Sequence, residues 1–245
     1  MSFDLSDLLR DWPYEPGQLQ VRKITGSDGR EKLQLRLDMG VLQMEMNGRP
    51  DGREPHGVET ELEHQTERAE LTGADFELSE DEVGELQAEG VQYYHRYLAL
   101  FQLGDWQGVI RDTKRNLDMF TFVAKYAADD ESAWSVQQFR PYVMMMNTRA
   151  KANLALEKDD VDAAIKLVEK GIAAIGKFVK DHNRDGEADA SEIKSLSEWL
   201  TELRKLKPMT PVEKLNRELE RAVEDEKYER AAELRDALKA LQKKS

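Results

Sequence analysis

The side chains best suited to bind a metal ion occupy alternate positions of one acidic stretch, residues 181–192. Hard oxygen donors at this spacing suit calcium, and Gly186 supplies the sharp turn that such a loop needs. Apolar patterns at residues 172–179 and 193–203 predict a helix before the loop and another after it. The candidate calcium ligands are Asp181, Asn183, Asp185, Glu187, Asp189 and Glu192.

This spacing is similar to the calcium loop of EF-hand proteins, with two departures. Ala188 stands where EF-hands place the aliphatic residue that pairs with a second loop, and Lys180 replaces the apolar residue before the loop. The sequence contains no second loop of this kind. The alternative is a polar connection in which Asp189 or Ser191 caps the next helix. We expect no cofactor other than this calcium ion.

The residue types that carry most enzyme chemistry do not form a recognisable set. There is no cysteine, and the sequence lacks His-Glu-x-x-His, Gly-x-Ser-x-Gly and a Gly-x-x-x-x-Gly-Lys phosphate loop. The four histidines, His56, His64, His95 and His182, are scattered along the chain. The sequence therefore predicts a protein that is not an enzyme and has no catalytic residues.

Composition places the chain among helix-rich globular proteins, with 40% hydrophobic and 35% charged residues and a net charge of -13. The acidic excess is concentrated between Glu59 and Glu89, where 12 acidic residues meet one basic residue, Arg68. No apolar run is long enough to cross a membrane, and the first residues lack the pattern of a signal peptide. We therefore expect a cytoplasmic protein with no membrane partner.

Two amphipathic helices are predicted at the end of the chain, within residues 210–244. Thr210 is a good N-cap, Pro211 suits the first helical position, and Glu213 can complete a capping box. Apolar residues then recur at helical spacing on either side of an acidic break at residues 224–227. They are Val212, Leu215, Leu219, Ala222 and Val223 in the first helix, and Tyr228, Ala231, Leu234, Leu238 and Leu241 in the second.

The order Tyr-Glu-x-Ala-Ala-x-Leu-Arg-Asp after a Leu-x-x-x-Leu helix resembles the UVR motif of the excinuclease B and C proteins and of some bacterial protease adaptors. The resemblance implies a helix-loop-helix that pairs with another copy of itself or with a partner protein. The partner-binding residues that it implies are Leu215, Leu219, Tyr228, Ala231, Ala232, Leu234, Arg235 and Leu238. The alternative is a hairpin that folds back on its own chain.

The charge of this C-terminal segment indicates whether it binds nucleic acid. Residues 210–244 contain nine acidic and nine basic side chains. Tight binding to nucleic acid depends on a basic surface that releases counterions from the phosphates. We therefore do not expect direct binding of nucleic acid, and the absence of a phosphate loop excludes a nucleotide-driven helicase.

The first 57 residues are predicted to form a small strand-rich module. Apolar residues alternate with a period of two between residues 18 and 46, and the turn formers at residues 25–29 predict a hairpin. Gly40 changes the parity of the alternation and suggests a bulge or bend. Residues 47–57 predict an ordered connector, with a ligand loop as the alternative. Residues 58–78 predict an acidic linker, whose segment from Glu59 to Asp75 is expected to be either a mobile arm or a solvated helix.

Residues 79–207 are predicted to form a helical array that contains an internal repeat. Ser79 and Glu82 form a capping box, and residues 98–110 align with residues 153–165. Both runs resemble the turn between the helices of a tetratricopeptide repeat. Val109 replaces the usual small residue, and the 55-residue offset from Gly104 to Asp159 predicts longer helices or an extra one.

Together these patterns predict an α+β, mainly α fold, with a small N-terminal antiparallel sheet, a tetratricopeptide-like array and a C-terminal hairpin at residues 208–245. The predicted function is that of a bacterial adaptor or scaffold that binds proteins, including another UVR-motif protein or itself. The alternatives are a calcium-binding regulator that uses residues 181–192 and an accessory factor of nucleotide excision repair.

Overall fold

The computed structural model describes residues 5–182, 191–206 and 211–242. The fold is mainly helical, with a small three-stranded antiparallel sheet near the N-terminus and helices at the C-terminus, which confirms the predicted class. The chain divides into two compact units, Met1–Leu200 and Thr201–Ser245. The boundary between residues 207 and 208 stays a prediction.

The elements follow one another in a simple order. A short helix, α1 (Ser6–Asp11), precedes the strands β1 (Val21–Thr25), β2 (Glu31–Leu37) and β3 (Gly40–Glu45). The helices that follow are α2 (Glu61–Thr72), α3 (Glu80–Gln102), α4 (Trp106–Tyr126), α5 (Asp130–Gln137), α6 (Arg140–Leu156), α7 (Val161–Asp181), α8 (Ser191–Leu206), α9 (Pro211–Glu224) and α10 (Tyr228–Gln242).

The sheet has the order β1-β2-β3, and the turn between β1 and β2 lies where the sequence predicts a hairpin. Between β1 and β2, the Gly26 amide donates to the carbonyl of Arg30 at 2.8 Å. The predicted bulge at Gly40 is wrong, because Gly40 pairs in register with Leu37 across a two-residue turn. Such a turn places odd-numbered residues of β2 opposite even-numbered residues of β3, which explains the change of parity.

Among the described residues of the larger unit, two apolar clusters join the sheet and the helices. In the first, buried side chains of the sheet, including Leu33 and Leu35, pack with Tyr97, Leu100 and Val109. The second is built from α2, α3, α4 and the segments beside them, and its members include Phe76, Leu78, Leu86, Met119 and Val123. One face of the sheet is therefore covered by helices α3 and α4, as the alternation of its strands requires.

The segment predicted as an acidic linker, residues 58–78, contains a packed helix. Helix α2 begins after the N-cap Thr60 and buries one face through Glu61, Gln65 and Ala69. Ala69 belongs to the second cluster, and the Glu61 amide donates to the buried carboxylate of Glu89 in α3 at 2.9 Å. This segment is thus part of the folded unit, with its acidic residues mostly on the outer face.

The connector before α2, residues 47–57, is attached to α3 and α4 by arginine side chains. Arg96 Nη1 donates to the carbonyl of Gly48 at 2.7 Å and to that of Glu45 at 3.1 Å. Arg111 Nη2 donates to the carbonyl of Met46 at 2.9 Å. These bonds satisfy backbone carbonyls that a loop packed on helices would otherwise leave without a partner.

The internal repeat reappears as a repeated turn geometry. Gly104 has φ 73° and Asp159 has φ 56°, and the next residue of each turn bonds back five residues, Asp105 to Leu100 at 2.9 Å and Asp160 to Ala155 at 3.0 Å. Asp105 and Asp160 are the N-caps of the helices that follow, α4 and α7. The predicted extra helix is α5, whereas the likeness to tetratricopeptide repeats stays a prediction.

Candidate partner-binding surfaces

The C-terminal hairpin consists of α9, α10 and the turn between them. Its turn repeats the geometry of the other two, since Glu226 has φ 57° and the Lys227 amide donates to the carbonyl of Ala222 at 2.8 Å. Ala222, Ala231 and Leu234 are buried together between the two helices. The small alanine side chains let the two backbones approach closely, so the hairpin closes a core of its own.

The structure divides the eight predicted partner-binding residues into three groups. Ala231, Leu234 and Leu238 are buried, and Leu215 and Leu219 are partly buried against the hairpin core. Tyr228, Ala232 and Arg235 are exposed. Much of the apolar stripe is therefore used within the hairpin itself, and only the last three residues are fully presented to solvent.

An exposed apolar pair lies beside the turn of the hairpin. Val223 is 48% exposed at the end of α9, and Tyr228 is 68% exposed at the start of α10. Val223 is not among the partner-binding residues that the resemblance implies, although it belongs to the predicted apolar stripe. The hairpin end formed by Val223, Tyr228 and the turn is called the apolar tip below.

The charged side chains of the hairpin pair with one another at its surface. Arg230 lies 2.9 Å from Glu233 and 3.6 Å from Glu218, and Lys227 lies 2.9 Å from Asp225. The hydrogen bond from Lys227 lowers the pKa of Asp225 below its usual value. Exposed pairs of this kind contribute little to stability.

A second candidate surface is a groove in the larger unit. It encloses about 400 Å³ and is lined by side chains of α3, α4, α5 and the first turn of α6. Tyr97, Phe120 and Val136 are buried in it, whereas Val91 and Phe139 are 47% and 49% exposed. Cavities of this size with mostly apolar linings are typical of binding sites.

A histidine is among the side chains that line this groove. His95 is partly buried on α3, and its ring packs edge-on to Tyr94 with the centroids 5.3 Å apart. Burial lowers the pKa of His95 below 6.5, while a hydrogen bond with the carbonyl of Val91 acts in the opposite direction. The neutral imidazole therefore forms part of the lining near neutral pH.

The predicted calcium loop falls mainly outside the described residues, because Asn183, Asp185, Glu187 and Asp189 lie within residues 183–190. Asp181 ends helix α7, and Glu192 lies in the first turn of helix α8. These helices flank the loop as predicted. Calcium binding itself stays a prediction.

Two of the four histidines, which lie apart in the sequence, come together in the structure. His56 and His64 stack with ring centroids 3.9 Å apart and an angle of 15° between their planes. His56 Nε2 lies 3.3 Å from Glu61 Oε2. No sequence pattern signals this contact, because it depends on a left-handed backbone conformation at His56, with φ 56°.

Comparison with known proteins supports the C-terminal interpretation. Residues 210–244 match the family model of the UvrB/uvrC motif, named UVR. This motif is known in excision repair proteins and as a protein-interaction motif. The searches of curated proteins and of solved structures found no match. In the described parts of the chain, no helix combines the length and apolar character needed to cross a membrane.

Proposed function

We propose that the chain is a non-enzymatic adaptor or scaffold that binds a partner protein through its C-terminal hairpin. The observation that supports this most directly is the apolar tip on a hairpin that matches the UVR motif. The hairpin lies within the compact unit Thr201–Ser245. The groove between α3, α4 and α6 offers a second surface.

The energetics of the hairpin favour a partner. Its core holds two alanines and Leu234, with Leu215 and Leu219 only partly covered. Two helices of this length are marginal in water without further burial. Burying an exposed side chain such as Tyr228 gains roughly 1.5–3 kcal/mol, and tyrosine and arginine are over-represented among the residues that dominate binding. Tyr228 and Arg235 are thus the residues expected to matter most.

The test begins with identification of the partner in intact cells. A photo-crosslinking amino acid is introduced at position 228 and, as a control, at Leu71, which is 89% exposed on α2. We expect one protein to be crosslinked from position 228 and not from position 71. Crosslinking of the same proteins from both positions would contradict recognition by the hairpin.

The purified partner then allows a quantitative measurement. We expect Tyr228→Ala to weaken its affinity at least about tenfold, which corresponds to about 1.4 kcal/mol. Leu71→Ala should leave the affinity unchanged. If a chain that ends at residue 206 binds the partner as tightly as the full chain, the proposed role of the hairpin is wrong.

A second candidate is an accessory role in nucleotide excision repair, which the UvrB/uvrC motif itself favours. The full chain should then bind the purified excinuclease B or C protein from the same organism through the apolar tip. Direct binding of damaged duplex DNA is not expected to survive moderate salt, since the hairpin carries nine acidic and nine basic residues. DNA binding at moderate salt without binding to either excinuclease protein would contradict this accessory role.

A further inference from the structure

We propose that His56, Glu61 and His64 bind a divalent transition metal ion, with Zn²⁺ as the best-suited one. Each of the three offers one ligand atom, and these atoms all lie within 4.8 Å of one another. The cluster is in the larger unit and has no part in the predicted calcium loop. It is a site separate from both candidate partner-binding surfaces.

The distances suit a tetrahedral ion. Zinc binds imidazole nitrogen and carboxylate oxygen at about 2.0–2.1 Å, so two neighbouring ligand atoms lie roughly 3.3 Å apart. His56 Nε2 and Glu61 Oε2 are separated by 3.3 Å. The ligand atom of His64 lies within 4.8 Å of the other two, and its imidazole is stacked on that of His56. Binding of the ion therefore requires the side chain of His64 to rotate out of this stack.

The carboxylate of Glu61 is already oriented by its surroundings. Glu61 is only 4% exposed, and its second oxygen, Oε1, accepts a hydrogen bond from Gln65 Nε2 at 2.8 Å. This bond directs Oε2 toward His56. Metal-binding carboxylates and imidazoles are typically fixed by such outer hydrogen bonds, which strengthen the site.

The backbone brings His56 to the same point. His56 lies in the 3₁₀ turn Pro55–Gly57 with φ 56°, a conformation that is uncommon for residues other than glycine. The amide of Val58 closes this turn by donating to the carbonyl of Pro55 at 3.1 Å. Two imidazoles therefore meet one buried carboxylate at the start of α2.

The donor set selects the class of ion. Two imidazole nitrogens and one carboxylate oxygen suit zinc and its first-row neighbours, whereas calcium and magnesium prefer oxygen ligands alone. The side chain of His56 is 49% exposed, which leaves a position for water as the fourth ligand. A bound ion would join the turn Pro55–Gly57 to the first two turns of α2 and so fasten the connector to the helix.

The test uses the full-length chain without a histidine tag, because a tag would bind the same ions. Zinc is titrated by calorimetry, and Co²⁺ is titrated by its visible absorption, which reports the ligand geometry. We expect one ion per chain at this site, with affinity lowered at least about tenfold in His56→Ala and in His64→Ala. His95→Ala and His182→Ala, at the other two histidines, should leave the affinity unchanged.

Two further experiments separate zinc binding at this site from the predicted calcium loop and from effects of mutation on folding. Asp181→Ala separates this site from the predicted calcium loop and should not alter zinc binding. Imidazole resonances of the unmodified protein, followed by NMR during the zinc titration, should shift for His56 and His64 alone, which avoids any effect of mutation on folding. Unperturbed resonances of these two histidines at saturating zinc, or equal affinity in a folded His56→Ala, His64→Ala double variant, would overturn the proposal.

Discussion

Arg96 and Asp112 form a two-pronged ion pair in the interior of the larger unit, with Nε to Oδ2 at 2.7 Å and Nη2 to Oδ1 at 2.8 Å. Both side chains are at most 1% exposed. Arg96 also donates to the carbonyls of Glu45 and Gly48, so one guanidinium connects helix α3, helix α4 and the end of the sheet. The pair thus fixes the position of the connector that leads to α2.

The first prediction concerns this pair. Asp112→Asn removes the charge that balances a buried guanidinium, and we expect the free energy of unfolding to fall by roughly 3–5 kcal/mol. Urea denaturation measures the loss. The control is Asp118→Asn, which removes an exposed partner of Lys114 on the same helix and should cost less than about 1 kcal/mol. Equal losses in the two variants would show that burial of the pair does not matter.

The second prediction uses the repeated turns. Asp159 occupies the left-handed position that glycine fills at residue 104, so Asp159→Gly should raise the free energy of unfolding by roughly 0.5–1 kcal/mol. Gly104→Ala is the reverse change and should lower it by a similar amount. Thermal denaturation of the two variants measures both changes in stability. If Asp159→Gly destabilises the protein, the side chain of Asp159 has a role beyond the turn.

Much of the fold could be predicted because it depends on local signals. The capping box at Ser79 and Glu82 marks the start of α3, and the alternation of apolar residues marks the strands. The boundaries of the hairpin helices follow from Pro211 and from the acidic break. In each case the residues that determine the element are close together in the sequence, so no tertiary contact is needed to identify it.

The features that could not be predicted depend on contacts between distant segments. Helix α2 resembles an acidic linker in sequence because Glu61 and Gln65 are polar, yet both are buried through bonds that involve Glu89 and each other. The contact between His56 and His64 likewise requires an unusual backbone conformation. Within the hairpin, periodicity identifies the apolar stripe but cannot decide which of its residues the second helix covers.

The third prediction concerns the packing of α6 on α7. A Cβ atom at Gly171 would lie 2.4 Å from Thr148 Oγ1 and 2.5 Å from Thr148 Cγ2. Thr148 is buried and β-branched, so it cannot easily move. We expect Gly171→Ala to destabilise the protein by about 1 kcal/mol or more, because overpacking outweighs the gain in helix propensity. Urea denaturation measures the difference.

Two variants test the cause of that loss. A second change, Thr148→Ala, should recover stability in the Gly171→Ala background, because it removes the atoms that the new Cβ would meet. Gly84→Ala on α3 has no heavy atom within 4 Å of its new Cβ and should stabilise the protein by up to about 1 kcal/mol. Destabilisation by Gly84→Ala would show that backbone effects, and not the contact with Thr148, determine the outcome.

The fourth prediction concerns pH and His95. Burial lowers the pKa of His95 in the folded protein below its ordinary value of 6.5. The unfolded chain therefore binds more protons than the folded protein as the pH falls through that value, and the free energy of unfolding decreases. We expect this decrease between about pH 7.5 and about pH 5.5 to be smaller in His95→Gln, which has no titrating group at this position.

Two measurements decide this last point. NMR titration of the His95 ring gives its pKa directly, and urea denaturation at several pH values compares the variant with the unmodified protein. The comparison between variants matters, because it isolates the contribution of His95 from every other source of pH dependence. A measured pKa at or above 6.5, or the same pH dependence in both proteins, would mean that the lining of the groove accepts a charged imidazole. The groove would then be a more polar surface than its aromatic side chains indicate, and a better site for an acidic segment than for an apolar one.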